Sequence, residues 1–127
     1  MFKKILILGV LVVGSYYGLK YLNSSGKLTE YLDARPEWEW VSGFHYYIGQ
    51  GHVVFSNWDG AKYRFSKVVS QYPESNWAAR AQFSLAKVYD DLEDKRGAIE
   101  QYQKLIEKYP NSVDCNEAEK RISLLKG

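Results

Sequence analysis

The sequence predicts an all-α chain: one N-terminal transmembrane helix, then a short α-solenoid of about two helical hairpins and a capping helix. Three observations predict it. An uncharged run of fifteen residues, Ile5 to Leu19, stands behind Lys3 and Lys4. The stretch GAKYRFSKVVSQYP, beginning at Gly60, returns at Gly97 as GAIEQYQKLIEKYP. Around both, apolar residues fall at helical spacing, and no segment alternates for long enough to propose a sheet; Val53–Phe55 (VVF) is β-friendly but lies inside a helical pattern. With 127 residues, 46% hydrophobic and 16% aromatic, the chain has room for one modest folded domain beside the apolar segment.

The apolar segment reads as an uncleaved anchor from about Ile5 to Leu22, within a first division of residues 1–22. Fifteen uncharged residues also fit the core of a signal peptide, whereas a spanning helix usually takes about twenty. Ser15, Tyr16, Tyr17 and Gly18 match a cleavage site poorly, and Asn23–Gly26 (NSSG) is a weak second candidate. A lipoprotein would need a cysteine just after the run, and the sole cysteine is Cys115. As an anchor, the segment places Lys20 where it can snorkel to the interface, with Tyr16, Tyr17 and Tyr21 as an aromatic belt. Lys3 and Lys4 on a very short N-terminus predict that end in the cytoplasm and the rest across the membrane, which in a bacterium is the periplasm. Lys20, Lys27 and Arg35 flank the other side and weaken that bias.

Residues 23–41 form a linker and membrane-proximal helix. Asn23–Gly26 breaks the first helix, and KLTEYLDA carries Leu28, Tyr31 and Leu32 at helical spacing up to Arg35-Pro36. Pro36 fits the first turn of the next helix. The aromatic stretch EWEWVSGFHYYIGQGHVVF then puts Trp38, Val41, His45, Ile48 and His52 on one face. Gly43, Gly49 and Gly51 weaken it as an isolated helix by about 1 kcal/mol each relative to Ala, so packing must hold it or a neighbouring helix must approach closely.

The remaining division, 42–127, follows a helix–turn–helix–proline order twice. Residues 56–60 (SNWDG) read as a turn, 60–72 as a helix ended by Pro73, 76–92 as a helix, DKRG as a turn, and 98–109 as a helix ended by Pro110. An offset of 37 aligns Gly60 with Gly97, Ala61 with Ala98, Phe65 with Tyr102, Tyr72 with Tyr109 and Pro73 with Pro110. The alanines must be small where paired helices cross, and Phe65 and Tyr102 plug the space between hairpins. This pattern resembles a tandem tetratricopeptide repeat, over about Ser42 to the end. The first unit supplies His45, Ile48-Gly49, His52, Ala61, Phe65, Val68 and Pro73, and the second Gln82, Leu85-Ala86, Tyr89, Ala98, Tyr102, Leu105 and Pro110. His45, Gln82, His52, Val68 and Leu105 depart from the usual residue types, though not from the register. The spacing exceeds the usual thirty-four by three, in the connector YPESNWAARA. That connector and YPNS resemble the repeats of bacterial envelope proteins of the TolA-binding and outer-membrane assembly lipoprotein type. The same offset carries Ala81, Leu85 and Val88 onto Ala118, Ile122 and Leu125, so the final segment is a capping helix with Glu117, Glu119, Lys120 and Arg121 on its polar outer face. With so few repeats, the N-terminal helices, the membrane or a partner must cover the open end around Trp38 and Trp40.

The formal charge of +2 mostly reports the membrane end: without Lys3, Lys4 and Lys20, 14 of the 17 basic residues face 15 acidic ones. No basic face for nucleic acid survives that subtraction. His45 and His52 are seven apart, whereas helical metal ligands usually lie three or four apart; both occupy packing positions, and neither CxxC nor CxxCH accompanies them. Asp90–Arg96 (DDLEDKR) is acidic but lacks the glycine and spacing of a calcium loop. No phosphate loop, nucleophile elbow or paired-carboxylate pocket is present. The expectation is therefore a non-enzyme with neither metal nor cofactor.

What the resemblance implies is a concave groove lined by the first helix of each unit. By register these residues are Tyr46, Gln50 and Val53, then Arg80, Phe83, Lys87 and Asp90. Tyr46 and Phe83 stand at clamp-type positions, so the paired Lys/Asn carboxylate clamp of chaperone-binding members is not reproduced. An aromatic and charged groove of this kind suits an extended peptide or a partner helix. Tyr16, Tyr17, Lys20, Tyr21, Trp38 and Trp40 are the expected membrane-interface residues. Two functional readings follow: an accessory subunit of a larger membrane complex, respiratory or photosynthetic being examples, or an envelope-biogenesis or cell-division adaptor that recruits soluble periplasmic clients.

Overall fold

The structure, a computed structural model, describes residues 1–35 and 38–127, and among these every regular element is a helix. They run α1 (Phe2–Ser24), α2 (Lys27–Asp33), α3 (Glu39–Val54), α4 (Trp58–Gln71), α5 (Ala78–Asp91), α6 (Lys95–Lys108) and α7 (Cys115–Lys126). The chain forms two compact units, residues 1–36 and 37–127. The expected role of Pro36 lies outside the described residues.

In the first unit, α1 is apolar all round and none of its candidate span, Phe2–Leu22, is buried. A helix with no polar stripe and no protein cover is long and apolar enough to cross a bilayer. Its 23 residues extend roughly 35 Å against a hydrocarbon core of about 30 Å. Gly26, with φ 73°, takes the left-handed conformation that closes α1 and precedes α2.

In the second unit, α3 pairs with α4 and α5 with α6, while α4 packs on α5 and α6 on α7. Each hairpin closes through the same device. Ser56 and Glu93 adopt positive φ (55° and 59°), donating their N–H groups to Val53 O and Asp90 O, while Asn57 N and Asp94 N donate to His52 O and Tyr89 O. This double bond pattern ends a helix with a left-handed residue. Asn57 and Asp94 then cap the next helix, their side chains accepting from Gly60 N at 3.1 Å and Gly97 N at 3.0 Å. So the stretches read as turns, 56–60 and DKRG, are shorter than expected: Trp58, Asp59 and Gly60, and Lys95, Arg96 and Gly97, already form first helical turns. Capping by Asn57 and Asp94 starts each helix early.

Two core clusters alternate with the hairpins. Ala61, Phe65, Val68, Ala81, Leu85 and Val88 form one; Ala86, Ala98, Tyr102, Leu105, Cys115 and Ala118 form the other. Phe65 and Tyr102 are the large plugs the repeat predicts, both essentially inaccessible to solvent. Close approach explains two of the α3 glycines: a Cβ at Gly49 would lie 2.6 Å from the Phe65 ring, and one at Gly43 2.8 Å from the Trp77 indole.

Candidate partner-binding groove

The groove is built on α3 and α5, whose packing faces are fixed by buried polar pairs. His45 is buried and its Nδ1 accepts from Arg64 Nη1 at 2.8 Å. Thirty-seven residues on, buried Gln82 donates through Nε2 to Gln101 O at 2.8 Å and to Gln101 Oε1 at 3.0 Å. Each helix–helix pair of the repeat thus carries one polar contact at the same place. His52 likewise packs: its ring lies where a Cβ on Gly60 would be 2.8 Å away, as the Tyr89 ring does at Gly97, 2.6 Å away. Both histidines are therefore committed to packing between helices.

With those faces turned inward, the adjoining faces of α3 and α5 present the seven register-predicted residues. Tyr46, Gln50, Arg80, Phe83 and Lys87 line a single cavity of about 330 Å³, joined by Ser84, Val113 and Asp114. Val53 shares a smaller recess of about 80 Å³ with Gln50 and Lys87. Asp90 lines a third, about 370 Å³, with Phe83 and Lys87. Gln50 and Lys87 link the first two recesses, and Phe83 and Lys87 the first and third, so the seven residues lie along one continuous surface.

Along this surface the polar groups are ordered. Gln50 Nε2 donates to Tyr46 Oη at 2.9 Å and to Ser84 Oγ at 3.1 Å, tying α3 to α5. Tyr46 packs beside Phe65 and Phe83 beside Tyr102, with ring centres 5.9 Å apart in each case, again one repeat apart. Lys87 is exposed and lies 5.8 Å from the Phe83 ring centre. Asp90 is engaged within the fold: Arg121 donates to both its oxygens at 2.8 Å, and Tyr102 Oη donates to Oδ2 at 3.1 Å. The Arg121 hydrogen bonds hold the Asp90 carboxyl below its usual range, against an opposing effect of burial. Burial, then the hydrogen bond to Asp90, pushes the Tyr102 phenol up.

Arg121 and Glu117, expected on the polar outer face of the capping helix, instead line this third recess, while Glu119 and Lys120 remain exposed. Ser84, Asp91, Val113 and Asp114 line the groove without having been singled out in the sequence. The offset held a signal for Ser84, since it carries Tyr47 onto Ser84 and Ser84 onto Arg121. The connector residues Val113 and Asp114 reach the groove through the turn between α6 and α7, which side-chain periodicity does not describe.

Tyr16, Tyr17, Lys20 and Tyr21 occupy the last turns of α1 and are exposed. Trp38 precedes α3, and Trp40, in its first turn, stacks on it at 5.7 Å between ring centres.

Comparison with known proteins agrees with this geometry. Residues 46–75 and 80–112 each match the tetratricopeptide repeat family. No curated protein matches the chain. The two matched stretches overlap the two hairpins whose turns, caps, polar pairs and aromatic plugs recur at an offset of 37, and the chain carries two tetratricopeptide repeats.

Proposed function

We propose that this chain is a membrane-anchored scaffold, an accessory subunit that holds a partner protein in its α3/α5 groove and stabilises a larger membrane complex. The observation that carries the reading is the continuity of the groove: seven register-predicted residues lie along one surface of linked recesses. Tetratricopeptide repeats are a scaffold for protein–protein interaction, and the groove pairs aromatic side chains with flanking charges, as a peptide or helix partner requires. The mechanism is docking without turnover. Anchoring through α1 confines the groove to the membrane surface and raises its effective concentration, so a modest affinity suffices.

Lys3 and Lys4 favour a cytoplasmic N-terminus and a periplasmic repeat domain at a bacterial inner membrane. A respiratory or photosynthetic assembly is the kind of complex this arrangement serves. The adaptor reading, with soluble envelope clients, draws support from the YPES and YPNS connectors, which resemble those of envelope repeat proteins. Gentle detergent extraction of the native membrane, size separation and mass spectrometry distinguish the two. A stoichiometric large assembly is expected; a chain that runs alone contradicts the subunit reading and leaves the transient adaptor.

A further inference from the structure

A second cavity, about 640 Å³, opens at the start of the repeats and is lined by Trp40, Phe44, Tyr47 and Trp77 together with Glu39 and Arg80. Its aromatic wall is built and fixed. The Trp77 indole lies against the backbone of Gly43, where a Cβ would be 2.8 Å from its Nε1, and the Tyr46 and Tyr47 rings hold it with centres 5.2 Å away. Trp40 and Tyr47 nevertheless remain 57% and 62% exposed. Arg80 is exposed, its Cζ 5.6 Å from the Trp77 ring centre, and it lines both this cavity and the groove.

We propose that this recess takes a zwitterionic phospholipid headgroup from the bilayer that α1 spans. Trp and Tyr carry an apolar body and a polar tip, the chemistry that settles at the headgroup layer. Aromatic faces attract an ammonium, and a guanidinium pairs with a phosphate. Glu39, the one carboxylate of the lining, suits the ammonium and disfavours a purely anionic headgroup. Chain length supplies the reach limit. Residues 25–38 join Ser24 to Glu39, and even stretched they span at most roughly 35 Å, about 10 Å of it in α2 and about 3.5 Å for each other residue. The inference rests on α1 being a retained anchor.

The test uses the full chain carrying Trp38→Phe and Trp58→Phe, which leaves Trp40 and Trp77, the two tryptophans that line the recess, in phosphatidylcholine nanodiscs with a nitroxide either on the headgroup or at the acyl terminus. The headgroup nitroxide is expected to lower tryptophan emission about twofold, the acyl-terminal one far less, and Arg80→Glu to restore most of the loss. Emission insensitive to the headgroup nitroxide, in a chain that resists carbonate extraction, overturns the inference and leaves the anchor standing; so does quenching that Arg80→Glu leaves unchanged. A chain released by carbonate overturns anchor and inference together. In native membranes, a photoreactive residue at position 47 is expected to give a lipid adduct. A protein adduct there assigns the recess to a partner helix and overturns the headgroup reading.

Discussion

Gly49 and Phe65 show how closely single residues are matched in this repeat. The Phe65 ring occupies the space a side chain at 49 would need, 2.6 Å from the Cβ position. Gly49→Val should destabilise the domain by about 1–3 kcal/mol through overpacking, read as a lower denaturation midpoint in urea with unchanged slope. The same register places Ala86 at the equivalent site beside Tyr102, and there one methyl is accommodated, fully buried. The polar pairs make a second residue-scale case. Gln82→Ala removes the partner of Gln101 and should cost about 1–3 kcal/mol, read the same way. The sequence marks His45 and Gln82 as departures from a bulky type, and their burial follows from the register alone. Their partners do not follow, because His–Arg and Gln–Gln share no evident complementarity across nineteen residues of chain. Arg121 is illegible for a related reason: periodicity gives a helix face, but the length of its side chain lets it leave that face for Asp90.

At the scale of elements, two helix starts and the cap are where the fold is most easily adjusted. Asn57 and Asp94 each satisfy an otherwise orphaned N–H at the first turn of α4 and α6. Asn57→Ala and Asp94→Ala should each cost about 1 kcal/mol, and, since the sites are separate, the double variant should lose close to the sum in the same denaturation assay. As residue types both caps are readable in the sequence, but Gly60 and Gly97 behind them look like turn residues and hide the helix starts. Their glycine character instead serves the close passage of His52 and Tyr89. The docking of α7 depends on pH through Asp90. Its pKa is lowered in the folded protein, chiefly by Arg121, so this contribution is present above the ordinary carboxylate range and is lost as pH falls through the lowered value. Hydrogen exchange of α7 amides should therefore gain a disproportionate opening rate below about pH 4, after correction for intrinsic exchange. Asp90→Asn should show that extra opening already at neutral pH and abolish its pH dependence. Equal acid sensitivity in the wild type and the variant would contradict the assignment.

For the whole molecule, one apolar helix and two repeats with a cap divide the work. In the proposed function the helix supplies place and the repeats supply recognition. This division was legible because each part rests on a long pattern, an uncharged run or a 37-residue offset, that local propensity cannot disguise. The groove's first-helix residues follow from the register, but its full lining does not, since Val113 and Asp114 enter it from the connector between α6 and α7. The central claim is that this groove holds a protein partner at the membrane. Lys87 and Asp91 are exposed and both line the groove, so reversing their charges with Lys87→Glu and Asp91→Lys alters recognition without disturbing the core. The most direct measurement compares the wild-type chain and this double variant by co-migration after gentle detergent extraction. The account predicts a stoichiometric partner with the wild type and its loss with the variant, while both chains remain membrane-bound and folded. Co-migration unchanged by the charge reversal, or no partner in either case, would contradict it.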